Sequence, residues 1–452
     1  MSGSAPVNVV GAGLAGCEAA FQISRFGIDV RLYEMKPGKR SPAHVADGFA
    51  ELVCSNSLRS KQLSNAVGLL KEEMRRLGSL IMEAADASEV PAGAALAVDR
   101  KVFSDYITRK IRSDPHIEVI NGEVTEIPDG ITVIATGPLT SDALAQAISS
   151  LFDGKCLSFF DAAAPIVDAS TIDLTKAYYA SRYGKGEASY INCPMEKEEY
   201  GRFYDALITA GTAELHGEDA EPNVFEGCMP VEVMAKRGRD TLLYGPLKPV
   251  GLPYPGTDRE PYAVVQLRQE NLEKTMYNIV GFQTHLTFSE QKRVFRMIPG
   301  LENAEFLRYG VMHRNTYIRS PGILDRDYSV IKNHDLFFAG QMTGVEGYIE
   351  SASSGWIAGV NAALRALSKP PLYMPDKTAI GALASNVSGS VSPDFQPMNV
   401  NFGIIAPPDR KIKGGKAKRN EALSERSLSF IDELAGTGFE GLDFKEKNEN
   451  HR

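Results

Sequence analysis

The residues of this chain whose types and spacing best suit chemistry are a glycine-rich turn, Gly11-Ala12-Gly13-Leu14-Ala15-Gly16, and an acidic residue beyond it, Glu34. In such a turn the first glycine permits a tight bend, the second lets backbone approach a pyrophosphate, and the third lets helix and strand pack closely. Amides at the start of the following helix then face the anion. An acidic residue ending the next strand accepts hydrogen bonds from ribose hydroxyls and repels a 2′-phosphate. Glycine turns are common, so the pattern gains its weight from its placement and from Glu34; a plain turn with a surface glutamate is the alternative. Five thiols are the second reactive set: Cys17, Cys54, Cys156, Cys193 and Cys228. They form no CxxC pair and no clustered Cys/His spacing, so neither a disulfide framework nor a metal site is expected. Scattered thiols fit a reducing compartment, where each is inert packing or a reactive thiolate.

Elements that could position the turn are legible around it. Val7 to Val10 is a short β-branched run, Cys17 to Ser24 reads as a helix, and Ile28 to Glu34 as a second strand. Strand, glycine turn, helix and strand within about 30 residues make a dinucleotide-binding unit. From Ser60 to Ala85, Leu63, Val67, Leu70, Met74, Leu77 and Leu80 recur every three or four residues, which predicts one amphipathic helix whose stripe faces the core. Val102 to Arg112 predicts another helix, Ile117 to Ile127 paired strand segments, and Ile131 to Ile134 a buried strand ending at Ala135-Thr136-Gly137. Tyr178 to Val280 mixes short strand-like runs with Pro and Gly turns and reads as an inserted, sheet-containing lobe. Leu336 to Ala339 is again a buried strand, followed by Gly340-Gln341 and a helix from about Glu350 to Leu367. A final amphipathic piece spans Leu423 to Leu434.

Bulk properties exclude several classes. The chain has 452 residues, 43% hydrophobic and 23% charged, which fits an ordinary globular protein of two or three lobes. No apolar run approaches the roughly 18 residues of a membrane span, and Met1 to Pro6 lacks a basic start leading into a signal-type run, so the expected location is cytoplasm. Net charge is −8, against a uniformly basic nucleic-acid binder, yet local basic runs exist. They are Lys36, Lys39 and Arg40; Lys236, Arg237 and Arg239; and Arg410, Lys411, Lys413, Lys416, Lys418 and Arg419. A solvated face, or for the third run a loose loop, is the plain reading of each.

The segments ending at Thr136-Gly137 and at Gly340 resemble the two later flavin-contacting motifs of the glutathione-reductase class of flavoproteins, and three such motifs in order favour FAD over NAD. No second GxGxxG follows, so NADPH or NADH would visit as reductant rather than reside. The implied fold class is α/β: a Rossmann-type FAD-binding domain of that class with an inserted, smaller α+β domain. The expected division is 1–165 and 301–403 for the FAD-binding domain, 166–300 for a substrate- or RNA-facing insertion, and 404–452 for a tail.

A more specific resemblance follows. Glu51 to Ser60 (ELVCSNSLRS), Asp161 to Pro165 (DAAAP), Phe225 to Pro230 (FEGCMP), Tyr262 to Gln269 (YAVVQLRQ), Tyr309 to Thr316 (YGVMHRNT) and Phe337 to Gly355 (FFAGQMTGVEGYIESASSG) resemble the folate- and FAD-dependent tRNA (uracil-5-)-methyltransferases. The likeness runs from about Val7 to Gly403. It implies that 5,10-methylenetetrahydrofolate supplies one carbon, that reduced flavin supplies electrons, and that the T-loop uridine at tRNA position 54 is methylated. It also implies that Cys54 and Cys228 are the functional thiols, Cys228 as the nucleophile at uracil C6 and Cys54 as helper in removing the C5 proton. Such thiols need a cationic neighbour; Arg59, Lys236 and Arg237 are near in sequence. His313 beside Arg314 suits a pterin or a structural role, while Cys17, Cys156, Cys193 and Trp356 read as packing. A related, longer family that modifies wobble uridine shares the motif around Gly340 to Gly355. A ribosomal-RNA target, a small-molecule FAD oxidoreductase and a flavin protein that only docks RNA are the competing readings; no membrane and no stable protein partner is expected.

Overall fold

The computed structural model describes residues 5–41, 43–152, 156–162, 164–184, 187–213, 229–310, 312–389, 395, 397–408 and 412–436, with backbone alone for 156–162 and 312–316. Its first sheet has six strands in the order Ser329–Val330, Asn333–Phe338, Thr132–Ile134, Val7–Val10, Val30–Glu34 and Ile117–Asn121. The last five are mutually parallel, and Ser329–Val330 adds an antiparallel edge. Val7 to Val10 are buried throughout, as an inner parallel strand covered on both faces should be. Successive strands leave this strand in opposite directions, toward Val30–Glu34 on one side and Thr132–Ile134 on the other. The crevice at their carboxyl ends is where such sheets bind ligands.

Helix Leu14–Arg25 returns the chain from the first strand to the second and packs along helix Tyr348–Ala366. Contact is close because both surfaces are small. A Cβ on Gly355 would lie 2.3 Å from the Ala15 carbonyl oxygen, and one on Gly359 would lie 2.7 Å from the Ala19 Cα. Trp356 is buried on the longer helix and donates its indole N–H to the Leu77 carbonyl at 3.3 Å.

The amphipathic stripe expected as one helix is two, Ala66–Arg76 and Leu80–Ala87. Gly78 adopts φ +70°, a left-handed turn that glycine enters freely. The Ser79 amide closes that turn onto the Met74 carbonyl, and the Ser79 hydroxyl caps the next helix through the Met82 amide at 3.2 Å. Leu70, Met74, Leu77 and Leu80 are buried on either side of the break, while Leu63 lies before the first helix and is exposed. The expected pairing within 117–127 is also corrected. Only Ile117–Asn121 is a strand, and it lies parallel to Val30–Glu34.

A second sheet is antiparallel, in the order Tyr178–Ala180, Tyr190–Met195, Ala263–Gln269, Met276–Ile279, Ile166–Asp168 and Phe306–Arg308. Ile191, Cys193, Val265, Leu267, Tyr277 and Ile279 point into a separate core with helices Lys197–Ile208 and Phe288–Phe295. The chain passes between the two sheets along the antiparallel strands Cys156–Ala162 and Met312–Ile318. Strand Ser57–Ser60 belongs to a small third sheet with Ala95–Val98 and Glu89–Val90.

The tail supplies helix Gly415–Gly436, longer than the piece expected at Leu423 to Leu434. Its Ser427 donates to buried Glu73, which also accepts the Ala379 and Ile380 amides. One carboxylate thus ties together three helices of the first core. No helix among the described residues is long and apolar enough to cross a membrane.

A dinucleotide cleft and a cysteine loop

Each glycine of the turn meets a different constraint. Gly11 has φ +99°, and a Cβ there would come within 2.8 Å of the Ala135 carbonyl oxygen and the Thr136 Cα, so both conformation and space require glycine. A Cβ on Gly16 would lie 1.8 Å from the Gly11 oxygen, so this glycine seats the helix on the strand. Gly13 differs: its φ of −76° suits any residue, and a Cβ would meet nothing within 4 Å. It faces the open cleft in front of the helix N-terminus.

The cleft is lined by Gly11, Ala12, Gly13, Glu34 and Thr136 of the expected residues. Leu14, Ala15, Gly16, Gly137, Gly340 and Gln341 stand outside that lining. Leu14, Ala15 and Gly16 are buried, Ala15 against the long helix, and Gly340 sits over Ala15, its own amide held by the Ser354 hydroxyl at 2.7 Å. The Gln341 amide nitrogen donates to Glu346 at 2.6 Å, and Gly137 takes φ +69° at the end of its strand. Lys36, His44, Glu51, Thr140 and Ser141 line the cleft as well. They come from irregular segments that carry no periodicity, so the sequence marks only Lys36, in a basic run, and Glu51, at the head of the ELVCSNSLRS motif.

Glu34 is buried and held from two sides. The Ala12 amide donates to its Oε2 and the Lys36 amide to its Oε1, each at 2.9 Å. Both bonds leave each carboxylate oxygen a second lone pair for the cleft. Burial, with Lys36 next in effect, holds the His44 imidazole below its usual range, and its Nδ1 lies 2.6 Å from the Ser41 hydroxyl. The basic run here is spent internally. Lys39 pairs with Glu123 at 2.7 Å and Arg40 with Asp47, while Lys36 donates to the Gly48 carbonyl. An open space at Gly13, free helix amides and an acid at the strand end fit a dinucleotide such as FAD.

Cys54 lies half-buried in the loop before strand Ser57–Ser60. Its amide and that of Ser55 donate to the Tyr348 phenol oxygen at 2.9 and 3.2 Å, and Tyr348 opens the long helix behind the flavin motifs. Among the described residues, Cys54 interacts electrostatically with the guanidiniums of Arg100 and Arg308. Arg59, nearer in sequence, instead pairs with buried Glu350 at 2.9 Å. Arg100 is itself fixed by Glu270 at 2.6 Å and by the Leu52 carbonyl. Burial, followed by the positive charge of Arg100, pulls the Arg308 guanidinium below its usual value.

Cys228 lies outside the described residues. The described chain resumes at buried Met229, ahead of helix Val231–Lys236, which Glu232 anchors to the Thr284 hydroxyl at 2.9 Å and the His285 amide at 2.7 Å. Lys236 ends that helix; Arg239 pairs with Asp205 at 3.2 Å. The side chains of His313, Arg314 and Cys156 are likewise outside the described atoms. Cys17 and Cys193 are fully buried, and burial drives both thiols far above the usual range. Among the described residues no group of three or more His, Cys, Asp or Glu could hold a metal ion.

Comparison with known proteins is consistent over most of the chain. The family model described as glucose inhibited division protein A matches residues 6–370. The methylenetetrahydrofolate–tRNA-(uracil-5-)-methyltransferase TrmFO of Acetivibrio thermocellus is 61% identical over 428 residues, 94% of this chain and 98% of that protein. The protein of the same name from Lacticaseibacillus paracasei is 59% identical over 94% of this chain and 96% of its own. Among solved structures, GidA of Aquifex aeolicus superposes with a TM-score of 0.69 at 20% identity, covering 95% of this chain and 74% of that one, which shows a shared fold. The chain therefore belongs to the TrmFO family of methylenetetrahydrofolate–tRNA-(uracil-5-)-methyltransferases, within the wider glucose-inhibited-division-protein-A family.

Proposed function

We propose that this protein methylates C5 of a tRNA uridine, position 54 of the T-loop, with carbon from 5,10-methylenetetrahydrofolate. The observation that carries this reading is identity of about three residues in five, over almost the whole chain, to enzymes named for that reaction. When bound, FAD supplies the electrons that reduce the transferred carbon to a methyl group, with NADPH or NADH as a visiting reductant. Gly11, Ala12, Gly13, Glu34 and Thr136 would hold the flavin nucleotide, while Leu14 to Gly16, Gly137, Gly340 and Gln341 shape the backbone around it. Residues 1–165 and 301–403 form this flavin unit, except that Leu301, Ala304 and strand Phe306–Arg308 pack with the second sheet, and 166–300 face the RNA.

The remaining chemistry falls to two thiols. Uracil C5 is a poor nucleophile, and addition of the Cys228 thiolate to C6 moves electron density to C5, which then attacks the methylene carbon as one of its two bonds to folate nitrogen breaks. Once the C5 proton is lost, the second carbon–nitrogen bond breaks to release tetrahydrofolate, and departure of the thiolate from C6 restores the ring double bond. Cys54 accepts the C5 proton. The direct test is to incubate unmodified tRNA with the protein, methylenetetrahydrofolate and NADPH and to measure 5-methyluridine by nucleoside mass spectrometry. One methyl group per tRNA, at position 54, is the expected result; none in flavin-loaded enzyme overturns the reading.

RNA contact is electrostatic on this reading. Lys413, Lys416 and Lys418 are exposed at the start of the tail helix, so a run read from sequence as a solvated face or loop is partly helical. Three phosphate contacts would weaken tRNA binding by at least about tenfold between roughly 50 and 200 mM salt. Changing Lys413, Lys416 and Lys418 to alanine should flatten that dependence in filter binding. An unchanged slope would place the RNA elsewhere.

A further inference from the structure

Two of the segments that carry the family likeness, ELVCSNSLRS and YAVVQLRQ, are more than 200 residues apart in sequence, yet they meet in one buried hydrogen-bond network. Arg268, on strand Ala263–Gln269 of the antiparallel sheet, donates its Nε to the Asn56 Oδ1 at 2.9 Å and its Nη2 to the Ser55 hydroxyl at 2.7 Å. A longer contact of 3.5 Å reaches the Asn278 carbonyl oxygen on the neighbouring strand. Asn56 is fully buried, and its amide nitrogen donates to the carbonyls of Gln269 at 2.8 Å and Val98 at 3.1 Å. The Ser55 hydroxyl in turn accepts the Ser57 amide at 3.1 Å, and the Asn56 carbonyl accepts the Val98 amide. Every one of these bonds lies within three residues of Cys54 or on the strands that hold it.

Arg268 is 7% exposed, and among the described residues its side-chain hydrogen bonds all reach neutral oxygens. A guanidinium without a carboxylate is costly to bury, so simple packing is a poor account of it. Glutamine could reach one acceptor but lacks the planar fork that reaches two adjacent residues at once. Glu270, just beyond the end of the same strand, completes the attachment: it fixes Arg100, which binds the Leu52 carbonyl on the other side of Cys54. The cysteine loop is therefore held at Leu52 by Arg100 and at Ser55 and Asn56 by strand Ala263–Gln269, with Tyr348 of the flavin unit accepting the Cys54 and Ser55 amides.

We infer that Arg268 is a positioning residue: through Ser55 and Asn56 it fixes the Cys54 thiol in register with the antiparallel sheet, and so with a uracil presented on that side. The catalytic importance of that register rests on the methyltransferase reading above, whereas the positioning itself does not. Arg268 touches no reacting atom and acts only through the loop.

The test compares Arg268→Ala, Arg268→Lys and Asn56→Ala in the full-length, flavin-loaded protein. Hydrogen exchange followed by mass spectrometry should show residues 52–60 exchanging at least about tenfold faster in both alanine variants, with residues 7–34 unchanged, as expected for local opening. Turnover on tRNA should fall about 100-fold at nearly constant KM, the effect of misplacing a reacting group by about 1 Å. Arg268→Lys, which keeps charge but not the fork, should behave like Arg268→Ala. The double variant Arg268→Ala/Asn56→Ala should be no worse than either single one, because both cut the same connection. Unchanged exchange at 52–60 would overturn the positioning, whatever the reaction is. Faster exchange with unaltered turnover would leave the positioning standing and remove Cys54 from the chemistry. Equal loss of flavin and rise in exchange throughout the chain would show that Arg268 merely supports the fold.

Discussion

Gly13→Val should give a folded protein that cannot hold flavin. The reasoning rests on the contrast between three glycines in one turn. At Gly11 and Gly16 a Cβ would strike backbone of the protein itself, at 2.8 and 1.8 Å, so any side chain there disrupts the seating of helix on sheet before a ligand is considered. At Gly13 a Cβ meets only open space and the backbone is in an ordinary region. The cost to the ligand-free fold is then that of a poor helix cap, about 1 kcal/mol. A branched side chain in front of the helix amides nevertheless fills the space a pyrophosphate would occupy. Purified Gly13→Val should be colourless, with flavin stoichiometry near zero by absorbance and a melting temperature within a few degrees of the flavin-stripped parent. Gly16→Val, by comparison, should accumulate poorly or melt far lower. Full flavin content in Gly13→Val would remove the pyrophosphate from this position; collapse of Gly13→Val to the level of Gly16→Val would mean that the cleft is closed at Gly13.

What could be read in advance follows the range of the interactions concerned. The glycine turn and Glu34 are local devices: their constraints act within some 30 residues, and type and spacing reveal them. Apolar periodicity likewise locates buried stripes, but it does not register a turn that preserves the phase of the stripe. Gly78 and Ser79 split the predicted helix while Leu77 and Leu80 both stay in the core. Nor does local pattern tell a single strand from a hairpin: the run after Ile117 pairs with a strand more than 80 residues earlier. The charged surroundings of Cys54 are the clearest case. Arg59 is five residues away and turns toward Glu350, whereas Arg100 and Arg308 arrive from a helix start and from the antiparallel sheet. Side-chain direction depends on the fold, and sequence distance is no guide to it. Arg268 was legible only as part of a family motif, because a buried arginine on a strand otherwise reads as an exposed one.

RNA bearing 5-fluorouridine at the target position should be trapped on the wild-type enzyme as a covalent adduct and should not be trapped on Cys228→Ala. Addition of a thiolate to C6 and attack of C5 on the methylene proceed as with uridine, but completion requires loss of the C5 substituent, and fluorine cannot leave as a proton does. The adduct thus reports the C6 nucleophile alone. Cys228→Ala should lose it entirely while keeping flavin, since the glycine turn and Glu34 are left intact. Cys54→Ala should lose turnover by a factor of about 100 to 10,000, the usual contribution of a positioned base, yet still form adduct. Gel mobility of labelled RNA after denaturation measures trapping, and flavin absorbance on the same samples reports an intact fold. Adduct surviving in Cys228→Ala and vanishing in Cys54→Ala would exchange the two roles, Cys54 being half-buried rather than sealed in the core. Normal methylation by both single variants would exclude thiol chemistry at the uracil ring altogether.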